Sequence, residues 1–441
     1  MRKVSTEQSL LFLIMAIAAV VIFLPLDAVA LFPDEIRILQ QADSYIDKGI
    51  FQLFATPPQD FATEAYAYLV SANLNLFHLP DIWAVRTPGA LIIWILTVGI
   101  FHYRGEYEQA KYAFLAALIF LSSYSVSAIA YHATPLTLTT ISLITSLASV
   151  YHWIKRPSKR KAYLLIATAA VSSFFFGLLA PMAIFVVGLI FMALQGNRKI
   201  ADFFKVPAFL ATAAMLAFML AAFAYNDIHT AGKIMGIGQI LEPLSEYSRL
   251  QLFALQLLFS IFPWSIPIVI AIGWIITHPQ WLKEKFLALS LLKQFGVIIF
   301  VLSLPFITAL NGLSLIMLLT MIYFNVPIVS HFLLSQAHNH SVTWRITGSI
   351  FALLIALFAL MFIAALFGLD FSQIGYSIDI SGHSNFGAYF LLIAIAFALY
   401  SLWRNQRTIR YNNLYLYNIV FLYIWAQLLY KAYVNPFLTV L

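Results

Sequence analysis

Apolar runs long enough to cross a bilayer recur along this chain from residue 9 to residue 430, and they leave few folds open to it. Inside a bilayer the backbone polar groups must bond one another, and in apolar runs this long only helices satisfy them. The runs extend over roughly 17 to 25 residues, the length of a spanning helix. About thirteen spans are predicted, near 9–31, 84–101, 111–131, 135–154, 162–180, 181–195, 205–225, 250–276, 294–310, 314–335, 345–368, 386–403 and 411–430. Pro181 makes the turn between two of them, and Pro305 is expected to kink another. The expected fold is an all-α integral membrane protein, one polytopic domain over 1–441 with no soluble carboxy-terminal domain. A mean hydropathy of +0.89 excludes a soluble globular chain of this size.

Orientation follows from the cations. With the amino terminus cytoplasmic, all but six of the 25 Lys and Arg fall at inner span ends. The six outside are Arg37, Lys48, Arg86, Lys233, Arg249 and Lys431, and most of the 18 acids lie with them. The net charge of +7 therefore records topology rather than nucleic-acid binding. The run Lys155–Lys161 is a topology anchor touching anionic lipid. The absence of cysteine removes disulfides, thiolate metal sites and a cysteine nucleophile. A bacterial inner membrane fits these features best.

Three outer segments are long: 32–83, 226–249 and 369–385. The first carries two amphipathic stretches, with Ile36, Leu39, Ile46 and Ile50 at helical spacing in one and Ala65, Leu69, Ala72 and Leu76 in the other. Such helices lie in the interface with the apolar face down. Thr56-Pro57-Pro58 breaks the helix between them.

Only 10% of the residues are charged, so charges at a span end are costly placements. Pro33-Asp34-Glu35-Ile36-Arg37 puts three of them where the first span leaves the membrane. On a helix Asp34 and Arg37 share a face, with Glu35 about 100° away. Transfer of a group to a hydroxyl needs a carboxylate to take the proton and a cation to balance an anionic leaving group. One helical turn presents both, and an interfacial ion pair orienting the loop is the competing reading. Arg86 either snorkels to headgroups or pairs with a first-loop acid. His132 sits at a short outer turn, as a phosphate or proton contact or as a helix-end residue. Glu242, Glu246, Tyr247 and Arg249 line an acceptor entrance or a solvated loop. Asp379 and His383 are a remote metal candidate. The sequence names no cofactor, and a divalent metal stays open.

With these residues in place, the chain resembles the GT-C glycosyltransferases of the protein mannosyltransferase and aminoarabinose (lipid A) transferase type. Their first outer loop opens with Asp-Glu-x-Arg, matched by Asp34-Glu35-Ile36-Arg37. A Lys-Pro-Pro-Leu element follows there, where this chain has Thr56-Pro57-Pro58-Gln59. Val85-Arg86-Thr87-Pro88 is similar to an Arg-Leu-Pro element, and Phe262-Pro263-Trp264-Ser265 to a Pro-Trp element. The resemblance implies a polyprenyl-phosphate-linked sugar donor and a lipid, glycan or protein acceptor on the outer face. It casts Asp34, with Glu35 beside it, as the catalytic carboxylate, and Arg37, Arg86 and His132 as donor-phosphate contacts. The chain departs from the family at Thr56, at Leu136 and at Ala180, where charged residues are expected. Those departures motivate a rival, a catalytically silent scaffold for envelope-polymer assembly. A lipid-linked saccharide carrier is a weaker rival, because charges cluster at span ends rather than at mid-membrane depth. Oligomeric state is not readable from helix faces of this kind.

Overall fold

The computed structural model describes residues 6–45 apart from 25 and 28–30, 61–176 apart from 108 and 157, 290–307 and 312–336. It also describes short pieces at 184, 186–188, 190, 264–265, 376–378, 396, 400 and 438–440. The helices run in chain order as α1 (Thr6–Phe23), α2 (Pro33–Asp43), α3 (Phe61–Phe77), α4 (Asp81–His102), α5 (Ala110–Ser122) and α6 (Tyr124–Ala130). They continue as α7 (Leu136–Lys155), α8 (Lys159–Phe176), α9 (Leu291–Ile307) and α10 (Gly312–Gln336). A 3-10 turn, Tyr103–Glu106, links α4 to α5. The bundle is helical. The departure among the described residues is a short antiparallel ladder, β1 (Tyr376–Ile378) against β2 (Leu438–Val440), with Ser377 opposite Thr439.

Helix α5 is the axis of the described bundle: every residue from Tyr112 to Ser122 is buried. It is wrapped by α1, α4 and α10, while α7 packs on α8 and α10. Helices α1 and α4 are each long and apolar enough to cross a bilayer, with mean hydropathies of 2.1 and 1.7. Helix α1 leaves Phe12 and Val20 exposed, as expected of a lipid-facing side. The predicted spans 84–101, 135–154, 162–180, 294–310 and 314–335 coincide with α4, α7, α8, α9 and α10 to within a few residues. Within the stretch 9–31, helix α1 ends at Phe23, two residues before Pro25 in the sequence. The stretch 111–131 is two helices rather than one. The chain turns extended at Ser123, where ψ is 134°, and the indole of Trp264 donates to Ser122 Oγ (2.9 Å) beside the break. Helix α9 continues to Ile307, past Pro305. The spans 205–225, 250–276, 345–368, 386–403 and 411–430 lie outside the described residues, apart from isolated positions.

Helices α9 and α10 pack closely because Gly296 has no side chain. A Cβ there would lie 2.3 Å from the Phe324 carbonyl oxygen, and Asn325 Nδ2 donates across the same contact to Gly296 O (3.1 Å). Small residues let membrane helices approach in this way. Gly296→Ala is therefore expected to destabilise the protein by about 1–3 kcal/mol, the usual cost of forced overpacking. The measurement is the melting temperature in detergent; an unchanged value would mean that α9 and α10 are not locked here.

The first-loop helices dock on α4 through a defect in α4 itself. Pro88 lies inside α4 and has no N–H, so the Ala84 carbonyl loses its helical donor. Asn73 of α3 supplies one, from Nδ2 at 3.1 Å. One residue on, the buried Tyr66 hydroxyl accepts from Gly89 N (3.3 Å) and donates to Val85 O (3.0 Å). Helix α3 thus repairs the proline break, as buried backbone groups require. The side of α3 that faces protein carries Tyr66, Ala67 and Val70, while Leu69 and Leu76 of the amphipathic stripe are exposed. Likewise α2 buries Ile38 and Ala42 and exposes Ile36. It ends at Asp43, and Gln41 Nε2 ties it to Glu64 Oε1 of α3 (2.9 Å).

Candidate functional site

Helix α2 begins immediately after Phe32, which is extended at φ −76°, ψ 158°. Pro33 takes the first helical position, where a missing N–H costs nothing. That places Asp34 second and Glu35 third. A third-position glutamate can turn back onto the helix start, and here Glu35 Oε2 accepts the Phe32 N–H at 3.0 Å. The two adjacent carboxylates are separated by this turn. Asp34 and Arg37 are exposed, on one face of α2; Glu35 is fully buried.

Arg86, one-hundredth exposed, meets Glu35 as a two-pronged ion pair. Nη2 donates to Oε2 at 2.7 Å and Nε to Oε1 at 3.0 Å. Oε1 also accepts the backbone N–H of Ala133 at 2.9 Å. Four donated bonds fill the carboxylate's acceptor positions. On its far side, Arg86 Nη1 donates to Leu26 O at 2.7 Å. One buried pair therefore joins the exit of α1, the start of α2, the first turns of α4 and the turn before α7. Tyr131 adds a second tie, its hydroxyl donating to Val21 O. Burial alone would raise the Glu35 pKa, but the bonds from Arg86, Ala133 and Phe32 outweigh it and hold the carboxyl below its ordinary value.

His132 lies at the surface with its imidazole stacked on the Phe32 ring, centroids 4.1 Å apart and 23° from parallel. The protein around it disfavours the charged form and lowers its pKa; Glu35 and Asp34 oppose the shift and Arg86 adds to it.

Of the sequence-stated candidates, the structure brings Asp34, Glu35, Arg86 and His132 into one electrostatic neighbourhood, with Arg37 one helical turn along from Asp34. Glu242, Glu246, Tyr247 and Arg249 lie outside the described residues, as do Thr56, Ala180, Asp379 and His383. Among the described residues, no group of three His, Cys, Asp or Glu could hold a metal ion. Phe32 and the Ala133 N–H are site members that the charge pattern did not single out. Pro33 was the available signal for the first pairing, since it numbers Glu35 as the third helical residue.

Apolar helices packed into a bundle, with two loop helices docked on it and fixed by a buried ion pair, describe a multi-span membrane protein. In particular, the chain shares the fold of ArnT from Cupriavidus metallidurans. The structure of that protein bound to undecaprenyl phosphate matches over 96% of this chain and 77% of its own, at 15% identity and a TM-score of 0.57. Its apo structure matches over 97% and 78%, at 14% identity and a TM-score of 0.60. No protein-family model and no curated protein sequence matches the chain.

Proposed function

We propose that this protein is a glycosyltransferase of the bacterial inner membrane. It moves a sugar from a polyprenyl-phosphate-linked donor to a lipid, glycan or protein acceptor on the outer face. The observation that carries this reading is the fold shared, over nearly the whole chain, with an ArnT solved with undecaprenyl phosphate bound.

In this reading Asp34 accepts the proton of the acceptor hydroxyl as its oxygen attacks the anomeric carbon. The bond from that carbon to the phosphate oxygen breaks, and the polyprenyl phosphate leaves with the electron pair. Attack opposite the leaving group inverts the anomeric centre. Arg37, exposed one turn from Asp34, balances the charge that develops on the phosphate. Glu35 and Arg86 are positioning residues, buried and committed to each other. Because Thr56 stands where the family has a lysine, Arg37 carries more of the phosphate recognition here.

Native mass spectrometry of the purified protein with undecaprenyl phosphate tests this. Wild type is expected to retain the lipid, and Arg37→Ala to bind it about 10-fold to 100-fold more weakly, the worth of one charged hydrogen bond. Equal retention would remove Arg37 from the donor site. No specific retention by either protein would overturn the donor and favour the silent scaffold.

A further inference from the structure

We infer that the stacked Phe32 and His132 rings form an aromatic platform that binds the sugar of the donor, beside Asp34. The inference rests on the proposed transferase reading and adds to it a determinant of which sugar is held.

Phe32 is 39% exposed although it is a large apolar side chain at a charged rim, two residues before Asp34. A single exposed apolar residue is ordinary on a protein surface. This one differs in being held at both ends. Its own N–H is taken by Glu35 Oε2, and its ring lies flat against His132. His132 is held by the same carboxylate, because Glu35 Oε1 takes the N–H of the next residue, Ala133. A fully buried glutamate therefore fixes the backbone on both sides of the stack. Two rings from separate parts of the chain are set nearly parallel with little freedom left to lose on binding, which is the condition for preorganised recognition.

The chemistry of the surface selects its ligand. A pyranose or furanose presents an apolar face of C–H groups and an edge of hydroxyls. A flat ring suits the first, and the exposed Asp34 and Arg37 suit the second. Ligand sites combine aromatic walls with a few polar groups in this way. The position also suits the reaction: Phe32, Asp34 and Arg37 are all exposed within six residues at the start of α2. A prenyl chain is the other apolar candidate, but it needs neither a flat ring nor the carboxylate beside it.

The test compares undecaprenyl phosphate with its glucosyl and arabinosyl esters on wild type, Phe32→Leu and Phe32→Trp, by native mass spectrometry. Leucine keeps apolar bulk and the backbone N–H that Glu35 takes, but loses the flat face; tryptophan restores it. At least one sugar-bearing lipid is expected to bind wild type about 3-fold to 10-fold more tightly than the bare lipid, the worth of one aromatic contact. Phe32→Leu should lose that increment, leave bare-lipid binding unchanged, and recover the increment as Phe32→Trp. Equal losses for bare and sugar-bearing lipids in Phe32→Leu would assign the ring to the prenyl chain or to folding and overturn the platform. Tight binding of the bare lipid with no gain from either sugar would overturn the platform alone. No binding of any lipid by wild type would overturn the donor reading and the platform with it.

Discussion

Arg86→Ala lowers the stability of the folded protein by about 3–5 kcal/mol, the cost of leaving a buried charge without its partner. Glu35 is fully buried and accepts four bonds, so losing the guanidinium removes two of them and strands an anion. Leu26 O loses its donor as well. Glu35→Gln strands the cation instead and gives up the charge on both prongs. Replacing both residues together by apolar ones of similar volume should cost much less than either single change, because neither charge is then left alone. Melting in detergent reads the stability, and limited proteolysis at the first loop reads whether α2 has come loose. A single-variant loss below about 1 kcal/mol, the range of exposed pairs, would mean that the pair is open to water. Acid provides an independent check. Glu35 has a folded pKa below its ordinary value of 4.5, so its contribution is complete above that value and is lost as pH falls below it. Wild type should therefore melt progressively earlier below that pH, and this part of the acid dependence should be missing from Glu35→Gln.

The same pair marks the limit of what local sequence shows. The cost of charge near a bilayer singles out Asp34, Glu35, Arg37 and Arg86, and the motif order carries the resemblance to the fold that the chain shares with the ArnT structures. Which carboxylate turns inward is decided by the helix start at Pro33, a feature of a single turn. That Arg86 is its partner requires a contact across 51 residues, and periodicity carries no information at that range. The Ala133 N–H and Leu26 carbonyl are backbone groups, identical in every residue, so no side-chain pattern can announce them. Helix α4 shows the converse. Pro88 advertises a broken hydrogen-bond ladder, but only the fold reveals that Asn73 and Tyr66 repair it. The break at Ser123 lacks even that signal, since neither Pro nor Gly lies in Phe120–Val126.

Asp34→Asn is expected to reduce sugar transfer by about 10²–10⁴-fold, the usual contribution of a positioned general base. The change removes a charge and keeps the shape. Asp34 is exposed, so the variant should melt with wild type, unlike any variant of Glu35 or Arg86. Its binding of undecaprenyl phosphate should also persist, because the proposed phosphate contact is Arg37. The assay is release of polyprenyl phosphate from the sugar-bearing lipid that wild type turns over, measured beside lipid retention and melting on the same preparations. Three independent readouts then separate three roles. Lost turnover with intact binding and stability identifies the base. Lost binding with intact stability identifies the phosphate contact, expected for Arg37→Ala. Loss of stability and turnover together identifies the buried clamp. Full turnover by Asp34→Asn would sink the mechanism and return Asp34 to an interfacial charge that orients α2. In that event the carboxylate for the reaction must come from elsewhere in the chain, because Glu35 has no acceptor position left to offer a substrate.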